Sequence, residues 1–142
     1  MPVKQISVLL DNAPGTLARL SNILDNEDIT TKAMLAASVE QQSTVRLVVN
    51  DPDRAAAVLG SFGFNFEVSP VLAAEVPLHP GGMNAILKCL SVADVNIHYL
   101  YTTINRLGRE TIVILGVDDL DEARKVLQRN WIRLIEDEIY SL

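Results

Sequence analysis

At 142 residues, 49% hydrophobic and 21% charged, the chain is too apolar to be disordered and is long enough for one ordinary domain or two small ones packed together. Its net charge of −6 is evenly divided, residues 1–71 carrying 5 basic and 8 acidic side chains and residues 72–142 carrying 7 and 10. An acidic surface without segregated charge argues against nucleic acid or an anionic membrane as partner.

Val3 to Leu10 reads as a largely buried strand, apolar on both alternating faces apart from Lys4, Gln5 and Ser7. It enters the stretch Asp11-Asn12-Ala13-Pro14-Gly15-Thr16-Leu17, and a helix from about Thr16 to Asn26 leaves it, with Leu17, Leu20, Ile23 and Leu24 as an inward stripe. Asn26-Glu27-Asp28 ends that helix. An extended segment from Ile29 to about Glu40 then turns at Gln41-Gln42-Ser43 into Thr44 to Asn50, where Val45, Leu47 and Val49 face one way and Arg46 and Val48 the other. Asp51-Pro52-Asp53 starts a second helix carrying Ala55, Val58, Leu59 and Phe62 at helical spacing. Gly60 and Gly63 bracket its end, and Phe64 to Val68 begins another strand.

The second half repeats this order. Val71 to Leu78 is a strand that follows with almost no linker, and the loop Leu78-His79-Pro80-Gly81-Gly82-Met83 places Pro80 66 positions after Pro14. Met83, Ile86, Leu87 and Leu90 form the next inward stripe, and Asp94 introduces a strand from Val95 to Asn105. Arg106-Leu107-Gly108-Arg109 reads as a hairpin turn and Thr111 to Val117 as the return strand. Asp118 to Glu122 loads the next helix start with carboxylates, as the helix dipole favours. Ala123, Val126 and Leu127 repeat Ala55, Val58 and Leu59; Ile132 to Ile135 starts the last strand, and Glu136-Asp137-Glu138 forms an acidic tail. The architecture expected is α+β: two βαββαβ units, residues 1–70 and 71–142, each an antiparallel sheet with both helices on one face.

The two Pro-Gly loops are the candidate binding elements. Proline presets the backbone of a first helical turn, and glycine removes the Cβ that would bar another group from the backbone. A helix start with outward N–H groups suits a carboxylate. Asn12 has both donor and acceptor capacity and suits either contact with a ligand or the capping of its own helix.

Other candidates are weaker. His79 and His98 are the only histidines, and neither has Asp, Glu or Cys at metal-ligand spacing, so no metal is expected. Cys89, the single cysteine, permits no internal disulfide and suits a reducing cytosol; on its helix it reads as a small packed residue. Tyr99 and Tyr101 share one strand face without an accompanying basic stripe, which favours an interface or pocket role over RNA stacking. No phosphate loop, nucleophile elbow or carboxylate–histidine constellation is present, so neither a cofactor nor an enzyme is expected. No run approaches the ~20 apolar residues of a membrane span, and the stretch before Asp11 is too short for a signal-peptide core. A cytoplasmic protein without a membrane partner is expected.

The strand-Asp-x-x-Pro-Gly-x-Leu-helix pattern, within a doubled βαββαβ order, resembles the ACT domain, as a tandem pair covering nearly all of the chain. It is similar to small stand-alone double-ACT proteins without a catalytic domain. The resemblance implies a ferredoxin-like fold and a regulatory or sensing role, with a free amino acid bound at an interface between ACT units, alone or acting on a partner enzyme. It maps the ligand loops onto Asn12, Ala13, Pro14, Gly15, Thr16 and Leu17, and onto His79, Pro80, Gly81, Gly82 and Met83. Pro77 and Leu78 stand where the first loop has Asp11 and Asn12, so the two loops need not bind equally. A small ferredoxin-like isomerase and a pure protein-interaction module are the alternative readings. A homodimer is expected as well. In Thr111 to Val117 the residues Val113, Leu115 and Val117 point one way while Ile112 and Ile114 point the other, and helices cover only one face of such a sheet.

Overall fold

A computed structural model describes residues 2–104 and 110–142; the expected turn at 106–109 and the expected strand end at Asn105 lie outside the described residues. The elements run β1 (Val3–Asp11), α1 (Thr16–Asn26), β2 (Thr31–Val39), β3 (Gln42–Val49), α2 (Pro52–Ser61), β4 (Asn65–Glu75), α3 (Gly82–Val92), β5 (Ile97–Thr102), β6 (Ile112–Val117), α4 (Leu120–Arg129) and β7 (Leu134–Ile135). A short 3-10 turn, Asp137–Ser141, follows β7. The chain forms two compact units. One is Lys4–Pro70 joined by Ile139–Leu142, and the other is Val71–Glu138 joined by the N-terminal residues through Val3.

In the Lys4–Pro70 unit the strand order is β2-β3-β1-β4. β3 is antiparallel to both β1 and β2, with Val45 opposite Val8 on one side and Ala36 on the other. The period-two alternation puts Ile6, Val8 and Leu10 of β1 and Val45, Leu47 and Val49 of β3 on one face. Leu20 and Leu24 of α1 and Ala55 and Leu59 of α2 close over that face. Each fully buried leucine or isoleucine there is worth roughly 1.5–3 kcal/mol of removed apolar surface. The stripe is narrower than its sequence pattern, because Leu17 and Phe62 stay 39% and 49% exposed.

The Val71–Glu138 unit repeats the plan with strand order β7-β4-β6-β5, and β6 is antiparallel to β4 and β5. Leu72, Ala74, Val113 and Leu115 form the sheet side of its core, against Ile86 and Leu90 of α3 and Ala123 and Leu127 of α4. Both units are thus ferredoxin-like, each an antiparallel sheet with two helices on one face.

The duplication extends to backbone details. Asp28 and Asp94 follow the first helix of each unit with φ of 57° and 58°, and Gly63 and Trp131 follow the second with 76° and 63°. Asn50 accepts the Thr30 N–H at 2.9 Å, and Asp118 accepts the Asn96 N–H at 3.0 Å. These side-chain bridges tie each unit's second and third strands where the chain passes into a helix.

Three expectations change. The segments Phe64–Val68 and Val71–Leu78 contribute to one continuous strand, β4. The last strand shrinks to Leu134–Ile135, paired with Ala74 and Ala73. The acidic tail is no mere solubilising end: the 3-10 turn that holds Asp137 and Glu138 carries a fully buried Ile139, and the Tyr140 hydroxyl accepts the Lys4 N–H at 2.9 Å.

The two isoleucines on which the expected homodimer rests are buried. Ile112 and Ile114 point away from the helices as expected, yet they are 2% and 0% exposed within the single chain. These two isoleucines therefore give no reason for a second chain.

Candidate functional site

Each Pro-Gly loop ends at a glycine in the left-handed region. Gly15 has φ 86° and ψ −10°, and Gly81 has φ 84° and ψ 9°; each is the N-cap of the helix that follows. An L side chain is strained at such a φ, which is why glycine occupies both positions. A Cβ at either would meet no protein atom within 4 Å, so the approach to the backbone is open.

Neither α1 nor α3 receives a side-chain cap. The other two helices do: Asp51 accepts the Arg54 N–H at the start of α2, and Asp119 accepts the Glu122 N–H at the start of α4, both at 3.1 Å. A helix leaves its first N–H groups without intrahelical partners. At α2 and α4 a carboxylate meets one of them; at α1 and α3 the first N–H, of Thr16 and of Gly82, donates to the Ala13 and His79 carbonyls at 3.3 and 3.0 Å, and no side-chain cap meets those that follow.

The first loop is pinned at both ends. The Asn12 backbone N–H donates to the Gln41 carbonyl at 2.8 Å, and its carboxamide Nδ2 donates to the Glu40 carbonyl at 3.0 Å. Asn12 is thus no helix cap: it holds the loop to the β2–β3 turn, with its side chain exposed. The Thr16 hydroxyl lies 2.8 Å from the Asp11 carbonyl and 3.1 Å from the Ala13 carbonyl, bracing the turn from inside. Ala13, Pro14, Gly15 and Leu17 are exposed. All six expected residues of this loop are therefore adjacent, and Thr16 is the one turned inward.

The second loop is tighter. Gly82 is buried under Pro77, where a Cβ would stand 2.1 Å from the Pro77 carbonyl oxygen. Met83 packs against its unit's core, and Nδ1 of the exposed His79 lies 3.0 Å from the Pro80 carbonyl oxygen, donating to it when Nδ1 carries the proton. Only His79, Pro80 and Gly81 of the five expected residues face solvent.

Sequence reasoning missed the β2–β3 turn as part of the first loop's surroundings. Glu40 takes a left-handed φ of 56° there, and the two strands close with Val39 opposite Gln42. A turn of Glu40 and Gln41 lacks the Gly or Asn that marks such turns in sequence. Beside it Leu9, Val39, Gln42 and Thr44 help line a groove of about 620 Å3. Among the described residues no group of three His, Cys, Asp or Glu is placed to hold a metal ion, and no helix is long and apolar enough to cross a membrane.

Each unit is ferredoxin-like and carries an uncapped, glycine-led helix after its first strand. The chain belongs to the ACT domain pair family, whose model matches residues 1–141. In structure it is similar to protein BT0572 from Bacteroides thetaiotaomicron, with a TM-score of 0.91, 28% identity, and 100% of this chain and 98% of that one covered. The regulatory subunit of aspartate kinase from Thermus thermophilus shares the fold at a TM-score of 0.60 and 13% identity, over 92% and 93% of the two chains. The aspartokinase alpha and beta subunits share it at a TM-score of 0.59 and 15% identity, over 90% and 91%. No curated protein sequence matches the chain.

Proposed function

We propose that this ACT domain pair is a non-catalytic regulatory module that binds a free amino acid at the Asn12–Leu17 loop. The observation that carries the reading is the contrast between helix starts: Asp51 and Asp119 cap α2 and α4, while α1 and α3 begin at left-handed glycines with no side-chain cap. ACT domains typically bind amino acids, and the Pro-Gly loop is where this chain leaves N–H donors for a carboxylate. The Oδ1 of Asn12 supplies an acceptor for the ammonium. The first loop is favoured over the second because its residues are exposed around Gly15, whereas Gly82 and Met83 are drawn into the second unit.

Structures of the same fold include the regulatory subunit of aspartate kinase, and regulation of a partner enzyme is the output this reading assigns to the chain. A homodimer in the cytoplasm, with an ACT unit of a second copy facing the loop, completes the proposal. Thermal-shift screening with the twenty amino acids tests it. Stabilisation by one or a few of them, without turnover, is expected, with amide NMR shifts centred on Leu17 and Ala18. Consumption of the compound points instead to an enzyme, and indifference to all twenty to an interaction module. Light scattering is expected to give twice the chain mass of 15.6 kDa.

A further inference from the structure

The two units differ where the helices of each pair lie side by side. In the Lys4–Pro70 unit two contacts bridge the gap between α1 and α2. Glu27 after α1 and Arg54 in the first turn of α2 form an ion pair at 3.3 Å, and Arg19 lies over the Phe64 ring at 5.0 Å. The corresponding positions of the Val71–Glu138 unit are Ala93 and Glu122, and Ala85 and Ile132. Both cross-gap contacts are lost at once, and Ile23 is matched by the smaller Cys89. What remains is a groove of about 730 Å3 between α3 and α4, within the 300–1,000 Å3 typical of small-molecule sites.

Its floor is apolar, from Ala85, Cys89, Ala93, Val126 and Ile132, and Val92 at its lip stays 79% exposed. Its polar members are Lys88, Glu122, Arg129 and Asn130. Arg129 pairs with Glu122 at 3.4 Å, and Asn130 donates to the Val126 carbonyl at 2.8 Å. Lys88 has no partner among the described residues. Lys125 joins Glu122 and Arg129 in an adjoining depression, so three cations meet one carboxylate here on a chain of net charge −6.

We infer that the α3–α4 groove binds a small amphipathic anion, an apolar body lying on the floor with its carboxylate or sulfonate at Lys88. A protein helix is the poorer occupant. Helices of 11 and 10 residues give a groove only about 15 Å long, which at a helix width of about 10 Å offers an area on the order of 150 Å2, far short of the roughly 800 Å2 per partner of a stable protein interface. This site is independent of the Pro-Gly loops.

The full chain carries its own reporter. Trp131 is the only tryptophan, 93% exposed and between the lining residues Asn130 and Ile132. Titration with 8-anilinonaphthalene-1-sulfonate is expected to give saturable fluorescence with parallel quenching of Trp131. Octanoate should displace the dye and octylamine should not. The pair Ala93→Glu and Glu122→Arg, which installs the ion pair found in the other unit, should weaken dye binding by roughly tenfold. Lys88→Gln, a change at an exposed side chain, should weaken it by about threefold without altering the melt. Absence of dye binding, undiminished binding in the double variant or in Lys88→Gln, or equal displacement by octylamine would each overturn the assignment.

Discussion

The Pro77 carbonyl oxygen lies 2.1 Å from where a Cβ on Gly82 would stand, and its carbonyl carbon 3.0 Å away. In the first unit the matching pair is Asp11 and Thr16, and there a hydroxyl spans to the carbonyl at 2.8 Å. The same turn is therefore closed by a side-chain hydrogen bond in one unit and by direct backbone approach in the other.

Gly82→Ala is accordingly expected to cost about 1–3 kcal/mol, because the obstacle is backbone and the loop must move. Thr16→Ala loses only a hydrogen bond, about 0.5–1.5 kcal/mol. Urea unfolding of both variants measures the difference. A Gly82→Ala chain as stable as its parent would mean that the loop yields freely.

Gly116→Ala tests a similar clash of another kind. Its Cβ would fall 2.2 Å from the ring of Tyr99, which stacks on Tyr101 with centroids 6.3 Å apart. The obstacle is the far end of a side chain, so the ring is expected to swing away at less cost than Gly82→Ala incurs. Near-ultraviolet circular dichroism should report the lost stack while the far-ultraviolet spectrum stays unchanged. An unaltered near-ultraviolet spectrum would show that the ring has not moved.

Removing the aspartate caps should weaken both units alike. Asp51→Ala and Asp119→Ala each lose one carboxylate bond to an orphan N–H, and about 1 kcal/mol apiece is expected. Arg54→Ala, which breaks a half-exposed ion pair with Glu27, should cost well under that. Chemical denaturation orders the three, and an Arg54 effect exceeding both caps would contradict this ranking.

Asn12→Ala detaches the first loop from the Glu40 carbonyl and removes the acceptor proposed for the ligand's ammonium. Stability should fall by about 0.5–1.5 kcal/mol. Calorimetry with whichever amino acid stabilises the parent should show weaker binding. Unchanged affinity would leave Asn12 a purely structural clamp.

Much of this was legible in the sequence because it is local. The alternation in Thr44–Asn50 and the spacing of Leu20 with Leu24 and of Ile86 with Leu90 name the inward faces, and Pro14-Gly15 and Pro80-Gly81 name the helix starts. A duplicated pattern doubles each signal, and backbone periodicity carries it without any knowledge of distant partners. What covers a face is another matter. Ile112 and Ile114 show the same alternation whether their side of the sheet is open or buried, and only the folded chain decides that they are buried. The same holds for Asn12, whose carboxamide suits a cap as well as a clamp until the Glu40 carbonyl arrives from 28 residues away. It holds too for the α3–α4 groove, since Ala93 and Glu122 acquire meaning only when two helices stand side by side. Local spacing determines which way a side chain points; the long-range packing of elements far apart in the chain determines what it meets.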